Sequence, residues 1–295
     1  MIDDSIPLPF VPLVAAVPPL TTLSRVSTCI AVDWSGSMSA VRSRLWLAES
    51  RRERWMRVEC GYERSSVIRN LIASAARDPE LVVGIDFSFS FPRWFMDEFG
   101  AQSAREMWEI VAREGESWLH ECPEPFWGKP FMPCPARILG RNALRDTEQA
   151  QLLVGGIGPK SIFQIGGAGT VGTGSLRGMP YLRELQDAGF SIWPFDEPRL
   201  PMVVEIYPRY LTGRVHKSSA IARALYLQAH HAHESREMLD LAGCSEDAFD
   251  AAVSASCMQR FARDFESLAR LPRTELDRME GRIWSPLRDP SFDGW

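Results

Sequence analysis

The stretch Cys29-Ile-Ala-Val-Asp-Trp-Ser-Gly36 decides the fold. Small and apolar residues lead into Asp33, and Ser35 and Gly36 end the run, which predicts a buried strand followed by a turn. A carboxylate withdrawn from water is costly unless it is paired, hydrogen-bonded or bound to a metal, so Asp33 marks a site. Leu81-Val-Val-Gly-Ile-Asp-Phe-Ser88 repeats the design, with Asp86 in the same place after its apolar run. Side by side, the two strands bring both carboxylates out at one edge of one sheet, as a divalent-metal site requires.

Outward from β-strand Cys29–Asp33, Arg44–Ser50 and Arg54–Cys60 read as a hairpin. Between Tyr62 and Asp78 the apolar residues Val67, Ile68, Leu71, Ile72 and Ala75 recur at helical spacing, and the Asp86 strand follows directly. Three strands, a helix and a fourth strand allow the last to lie parallel to the first through a right-handed crossover. Further on, the sequence predicts a helix over Ala101–Glu114 and another over Leu176–Ala188. Strands are predicted over Phe190–Trp193 and Met202–Tyr207, the second carrying Glu205. Residues 217–271 are helical in composition, and Glu280–Trp284 is a short strand or docking tail. Residues 115–160 are irregular, with Pro123, Pro125, Pro130, Pro133 and Pro135 and the aromatics Trp118, Phe126, Trp127 and Phe131 among them. Such a stretch is a lid-like insertion or an aromatic-anchored loop over a sheet face.

Net charge is −5, so no global basic field advertises nucleic acid, although a local Arg-lined groove remains compatible with it. Six scattered cysteines without a CxxC pair point to reduced thiols and a cytoplasmic protein. Residues 1–25 are apolar but broken by prolines and preceded by no basic region. They read as a mobile or surface-packed N-terminal arm, neither leader nor membrane span, ahead of one domain over 26–295.

Asp33, Asp86 and Glu205 each interrupt an apolar strand, and Asp247 with Asp250 lies three apart on one face of a predicted helix rich in small residues. Converging carboxylates suit Mg²⁺ or Mn²⁺. Taken singly, Asp247 is also a dipole-favoured helix start and Asp33 a turn former. The glycine run 166–174 follows a short predicted strand, Ser161–Ile165, and precedes a helix. Its Gly167, Gly169 and Gly172 fit a mobile loop, an anion-binding loop or a dinucleotide fingerprint, and Lys160, Ser175 and Arg177 beside them favour an anion. His230 and His233 share a predicted helix face, but no further ligands complete a zinc site. The Arg-rich segment Arg42–Arg57 reads as a solvated hairpin.

Val32-Asp-Trp-Ser-Gly36, Gly84-Ile-Asp-Phe-Ser88, Pro159-Lys-Ser-Ile-Phe-Gln-Ile-Gly-Gly167, Val204-Glu-Ile-Tyr-Pro208 and Glu280-Gly-Arg-Ile-Trp284 together resemble a domain-of-unknown-function family described as predicted ribonuclease-H-like nucleases. The resemblance runs from about residue 28 to 287. Asp247-x-x-Asp250-Ala also resembles the last acidic motif of Holliday-junction resolvases. The resemblance implies an α/β fold with a ribonuclease-H-like mixed sheet flanked by helices, and metal-ligand roles for Asp33, Asp86, Asp247 and Asp250, with Glu205 a further candidate. The expected activity is a metal-dependent phosphodiesterase acting on nucleic acid or nucleotide, with no membrane partner. The alternatives are an actin-like nucleotide phosphatase or phosphotransferase, and a non-catalytic nucleotide- or nucleic-acid-binding module.

Overall fold

The computed structural model describes residues 25–150, 153–167 and 170–287. The expectations for the arm up to residue 24 and for Gly169 lie outside the described residues. The chain forms an α/β fold around a mixed sheet of seven strands: β1 (Thr28–Asp33), β2 (Trp46–Arg51), β3 (Arg54–Glu59), β4 (Leu81–Ile85), β5 (Ser191–Trp193), β6 (Met202–Ile206) and β7 (Ile283–Trp284). Their order is β3-β2-β1-β4-β6-β5, and β7 also pairs with β6. β1, β2 and β3 run antiparallel, whereas β4 pairs parallel with β1 and β6 parallel with β4. The hairpin turns through Arg52 and Glu53, both at positive φ. The crossover from β3 to β4 is the Arg64–Arg77 helix, which buries Val67, Ile68, Leu71 and Ala75 as its spacing predicts.

Alternation along the strands gives the two faces different partners. Ile30, Val32, Val83 and Ile85 face the Arg64–Arg77, Ala104–Glu121 and Gly172–Asp187 helices in one core cluster. Cys29, Ala31, Val82 and Val204 face the Glu246–Arg260 helix through Ala251, Ala252, Val253 and Ala255. Those small residues let the helix lie close to the sheet. Gly84 marks the closest approach, since a Cβ there would lie 2.6 Å from the Met258 sulfur. Among the described residues no helix is long and apolar enough to cross a membrane.

Three predicted elements differ. The Ala104–Glu121 helix outlasts its predicted end at Glu114, because Trp118 and Leu119 continue its buried stripe until Cys122 adopts a left-handed conformation. Ser161–Ile165 is not a strand: Gln164 makes a single bridge to Trp127, and turns surround it. The stretch after the helix is anchored by aromatics, with Phe126 and Phe163 packed among Phe91, Phe95 and Trp118. The third difference concerns the histidines. The Ala220–His230 helix ends at His230, so His230 and His233 do not share a helix face. His233 is exposed, with Nε2 3.1 Å from the Glu53 carbonyl oxygen, while His231 is buried and stacks on Trp55 at 4.7 Å.

Burial, reinforced by His233 and His230, pushes the His231 imidazole down to about 4 from its usual 6.5. The unfolded chain therefore binds the extra proton between those values, and stability present above pH 6.5 is lost as pH falls toward 4. His231→Phe keeps the aromatic stack and removes this loss. Urea denaturation at pH 7 and pH 5 is expected to show wild type losing about 2 kcal/mol more than the variant.

Candidate carboxylate site

β1 and β4 pair in parallel with Val32 opposite Ile85, so the next residues, Asp33 and Asp86, stand together at the carboxyl ends of neighbouring strands. Both continue the alternation of Cys29, Ala31 and Val82, and so belong to the face covered by the Glu246–Arg260 helix. That helix starts at Ser245, whose hydroxyl accepts from the Ala248 amide at 2.9 Å. Its first two turns present Asp247, half-buried, and Asp250, buried, to the same edge. All four carboxylates line one cavity at this edge.

Few donors meet them. Asp86 Oδ1 accepts from the Trp34 amide at 2.5 Å, and Lys217 Nζ donates to Asp250 Oδ2. Asp250 Oδ1 is buried with no hydrogen-bond partner, and no hydrogen bond to the Asp33 carboxylate is found among the described residues. Burial and then repulsion from Asp86, Asp250 and Asp247 push the Asp33 carboxyl well above the usual carboxylate range. Asp86 is also raised well above that range by burial, against the Trp34 amide that lowers it, and Asp250 is raised by burial against the pull of Lys217. Asp247 is raised chiefly by burial, with Arg44 opposing.

The acids open into a cavity of about 800 Å³. Lys217, Arg44, Arg209, Lys160 and Arg177 line it together with Gly167, Thr170, Thr173 and Gly174. Protein-family models, curated proteins and solved structures yield no match to this chain. What the cavity can bind is therefore argued from its own groups. Lys160, Arg44 and Arg209 form no ion pair among the described residues; Arg209 instead donates to the carbonyls of Gly213 and Val215. Arg177 is held by both Glu116 oxygens and the Gly36 carbonyl.

The glycine run divides in two. Gly167, Thr170, Val171, Thr173 and Gly174 reach the cavity, whereas Gly172 and Ser175 are structural. A Cβ on Gly172 would lie 2.1 Å from the Ile162 carbonyl oxygen. Ser175 is buried, its hydroxyl accepting from the Ser88 amide at 2.9 Å and donating to the Val171 carbonyl. Without a leading strand, the run also lacks the β-turn-α frame of a dinucleotide fingerprint. The run begins the Gly172–Asp187 helix, and Gly36 permits its approach: a Cβ there would lie 2.6 Å from the Gly174 nitrogen.

Glu205 does not join the acids. Its register partner is Ile85, so it points to the opposite face from Asp86. There Arg145 Nη1 donates to Oε2 at 2.8 Å, Arg145 Nη2 donates to Oε1, and the Phe89 amide donates to Oε2 at 2.9 Å. Arg145 also pairs with Glu148 and donates to the Glu280 carbonyl at 2.9 Å, while the Glu280 carboxylate accepts from the Arg93 and Asp146 amides. Lys217, Arg209 and Arg145 are functional or structural cations that no spacing in the sequence signals.

The donor set fits a hard divalent cation in chemistry: the acids offer oxygen ligands alone, and one buried oxygen, Asp250 Oδ1, has no partner among the described residues. Among the described residues, however, no three His, Cys, Asp or Glu side chains stand in a metal-holding arrangement, and Lys217 occupies the cluster.

Two outcomes follow from this electrostatics. With a chelator present at pH 7.5, Asp33→Asn is expected to melt a few degrees higher than wild type, because it removes one repelling charge that no hydrogen bond offsets. Arg145→Met leaves Glu148 and Glu205 buried without their cation, and chemical denaturation should show a loss of about 3–5 kcal/mol.

Proposed function

We propose that this chain is a metal-dependent phosphodiesterase built on a ribonuclease-H-like core, with nucleic acid or nucleotide as substrate. The observation that carries the reading is the pair Asp33 and Asp86, adjacent on parallel strands and facing the same helix-borne acids. Strand order β3-β2-β1-β4 with a further parallel strand supports the core. Asp33 and Asp86 would hold Mg²⁺ or Mn²⁺, with Asp250 and Asp247 completing the ligand set. When bound, such an ion activates water and stabilises charge on the attacking and leaving oxygens. Lys160, Arg44 and Arg209, without an ion pair among the described residues and facing the same cavity, attract the substrate phosphate and steer it to the acids. The start of the Gly172–Asp187 helix adds backbone amides of the right polarity.

A second reading has one specific support. The ion pair of Lys217 with Asp250 satisfies part of the acid charge without a metal, as a nucleotide-binding module without turnover would require.

Mn²⁺-dependent cleavage of a panel of single-stranded DNA, duplex DNA, RNA and nucleotides separates the two. Asp86→Asn is expected to lower the rate at least about a hundredfold while melting within a few degrees of wild type. Lys160→Ala is expected to raise KM with little change in stability, since its side chain is exposed. Binding of a nucleotide with no metal-dependent turnover on any substrate would establish the module instead.

A further inference from the structure

Lys217 lies on the loop between the Pro208–Thr212 and Ala220–His230 helices. Its backbone is fixed: the Lys217 carbonyl accepts from Arg223 Nη1 at 2.6 Å, and Ser219 caps the following helix. The half-buried side chain extends from this fixed point into the acid cluster and contacts Asp250 Oδ2. An ammonium on a four-carbon stem is a compact, mobile point charge, unlike a guanidinium held by two carbonyls as Arg209 is. Beside it lies the cavity of about 800 Å³, room enough for the side chain to swing without opening the fold.

We propose that Lys217 is the resident counter-ion of this cluster, its ammonium standing where a divalent cation binds, so that metal loading requires Lys217 to leave Asp250. The proposal deepens the reading above and rests on the acids being metal ligands. Of the four carboxylates lining the cavity the ammonium contacts Asp250 alone, and Asp250 Oδ1 has no donor among the described residues. Asp250 is thus only partly satisfied, and a divalent cation in place of the ammonium brings two charges to the acids instead of one. Two consequences follow. The metal-free cluster is protected from its own repulsion, and the affinity for metal is lowered by the ion pair that must break.

The test uses the full chain, with Mn²⁺ alone as the probe. Isothermal titration at pH 7.5 is expected to show Lys217→Met binding Mn²⁺ at least about tenfold more tightly than wild type. In chelator the same variant should melt lower than wild type. In wild type, acylation of Lys217 by an amine-reactive ester, read by mass spectrometry, should rise several-fold when Mn²⁺ is added. Equal or weaker Mn²⁺ affinity in Lys217→Met would overturn the counter-ion role while leaving the metal site standing. Should that variant fail to fold, unchanged acylation in wild type that binds Mn²⁺ overturns it equally. If neither protein binds Mn²⁺, the metal reading and this proposal fall together.

Discussion

Like charges brought together at the edge of a sheet repel, and the repulsion grows as water is removed. Asp33, Asp86 and Asp250 are raised from their usual range by burial, and the repulsion among the acids adds to it. A fold that selects only for stability removes such a cluster. This one builds it from two strands and a helix whose packing leaves the carboxylates no other direction. The small residues of the Glu246–Arg260 helix, and Gly84 beneath Met258, bring helix and sheet so close that Asp250 must sit against the strand ends.

Charge on the other face of the sheet is handled differently. Arg145 is wholly buried, and its fork is saturated by Glu148, Glu205 and the Glu280 carbonyl. A buried group of this kind contributes more to a defined arrangement than to net stability. Here it ties the irregular stretch after the Ala104–Glu121 helix to β6 and to the Glu280-Gly-Arg-Ile-Trp284 segment. Two acidic groups thus lie on opposite faces of adjoining strands: one closed by a planar cation with every donor used, the other met by an ammonium at Asp250 and open to a cavity.

The contrast explains what could be read from the sequence. β1, β4 and the helix between them are legible because each carries a local pattern: an apolar run ending on an acid, or a 3.6-residue stripe. Asp33, Asp86, Asp247 and Asp250 follow from those patterns. Glu205 interrupts an apolar strand in the same way, yet its side is set by the pairing of Glu205 with Ile85, and no single strand contains its register. Lys217 and Arg145 are hidden for a related reason. Asp250 lies 33 residues from Lys217 and Glu205 lies 60 from Arg145, and a lone basic residue in a loop has no period to betray it. His230 and His233 fail as a helix-face pair because the helix stops at the first of them.

Glycine placement completes the physical case for an open site. Gly36, just past Asp33, lets the start of the Gly172–Asp187 helix press against the turn at the end of β1. Gly172 is fitted just as tightly against the Ile162 carbonyl. Ser175 then ties that helix to Ser88, two residues past Asp86. Both acid-bearing strand ends are therefore braced by one helix on the face opposite the Glu246–Arg260 helix. Bracing from both sides holds the carboxylates close against their repulsion, while Lys217 reaches Asp250 from a separate loop. The anions are set by strand ends and a packed helix, whereas the ammonium in contact with Asp250 is carried on a four-carbon stem from a loop.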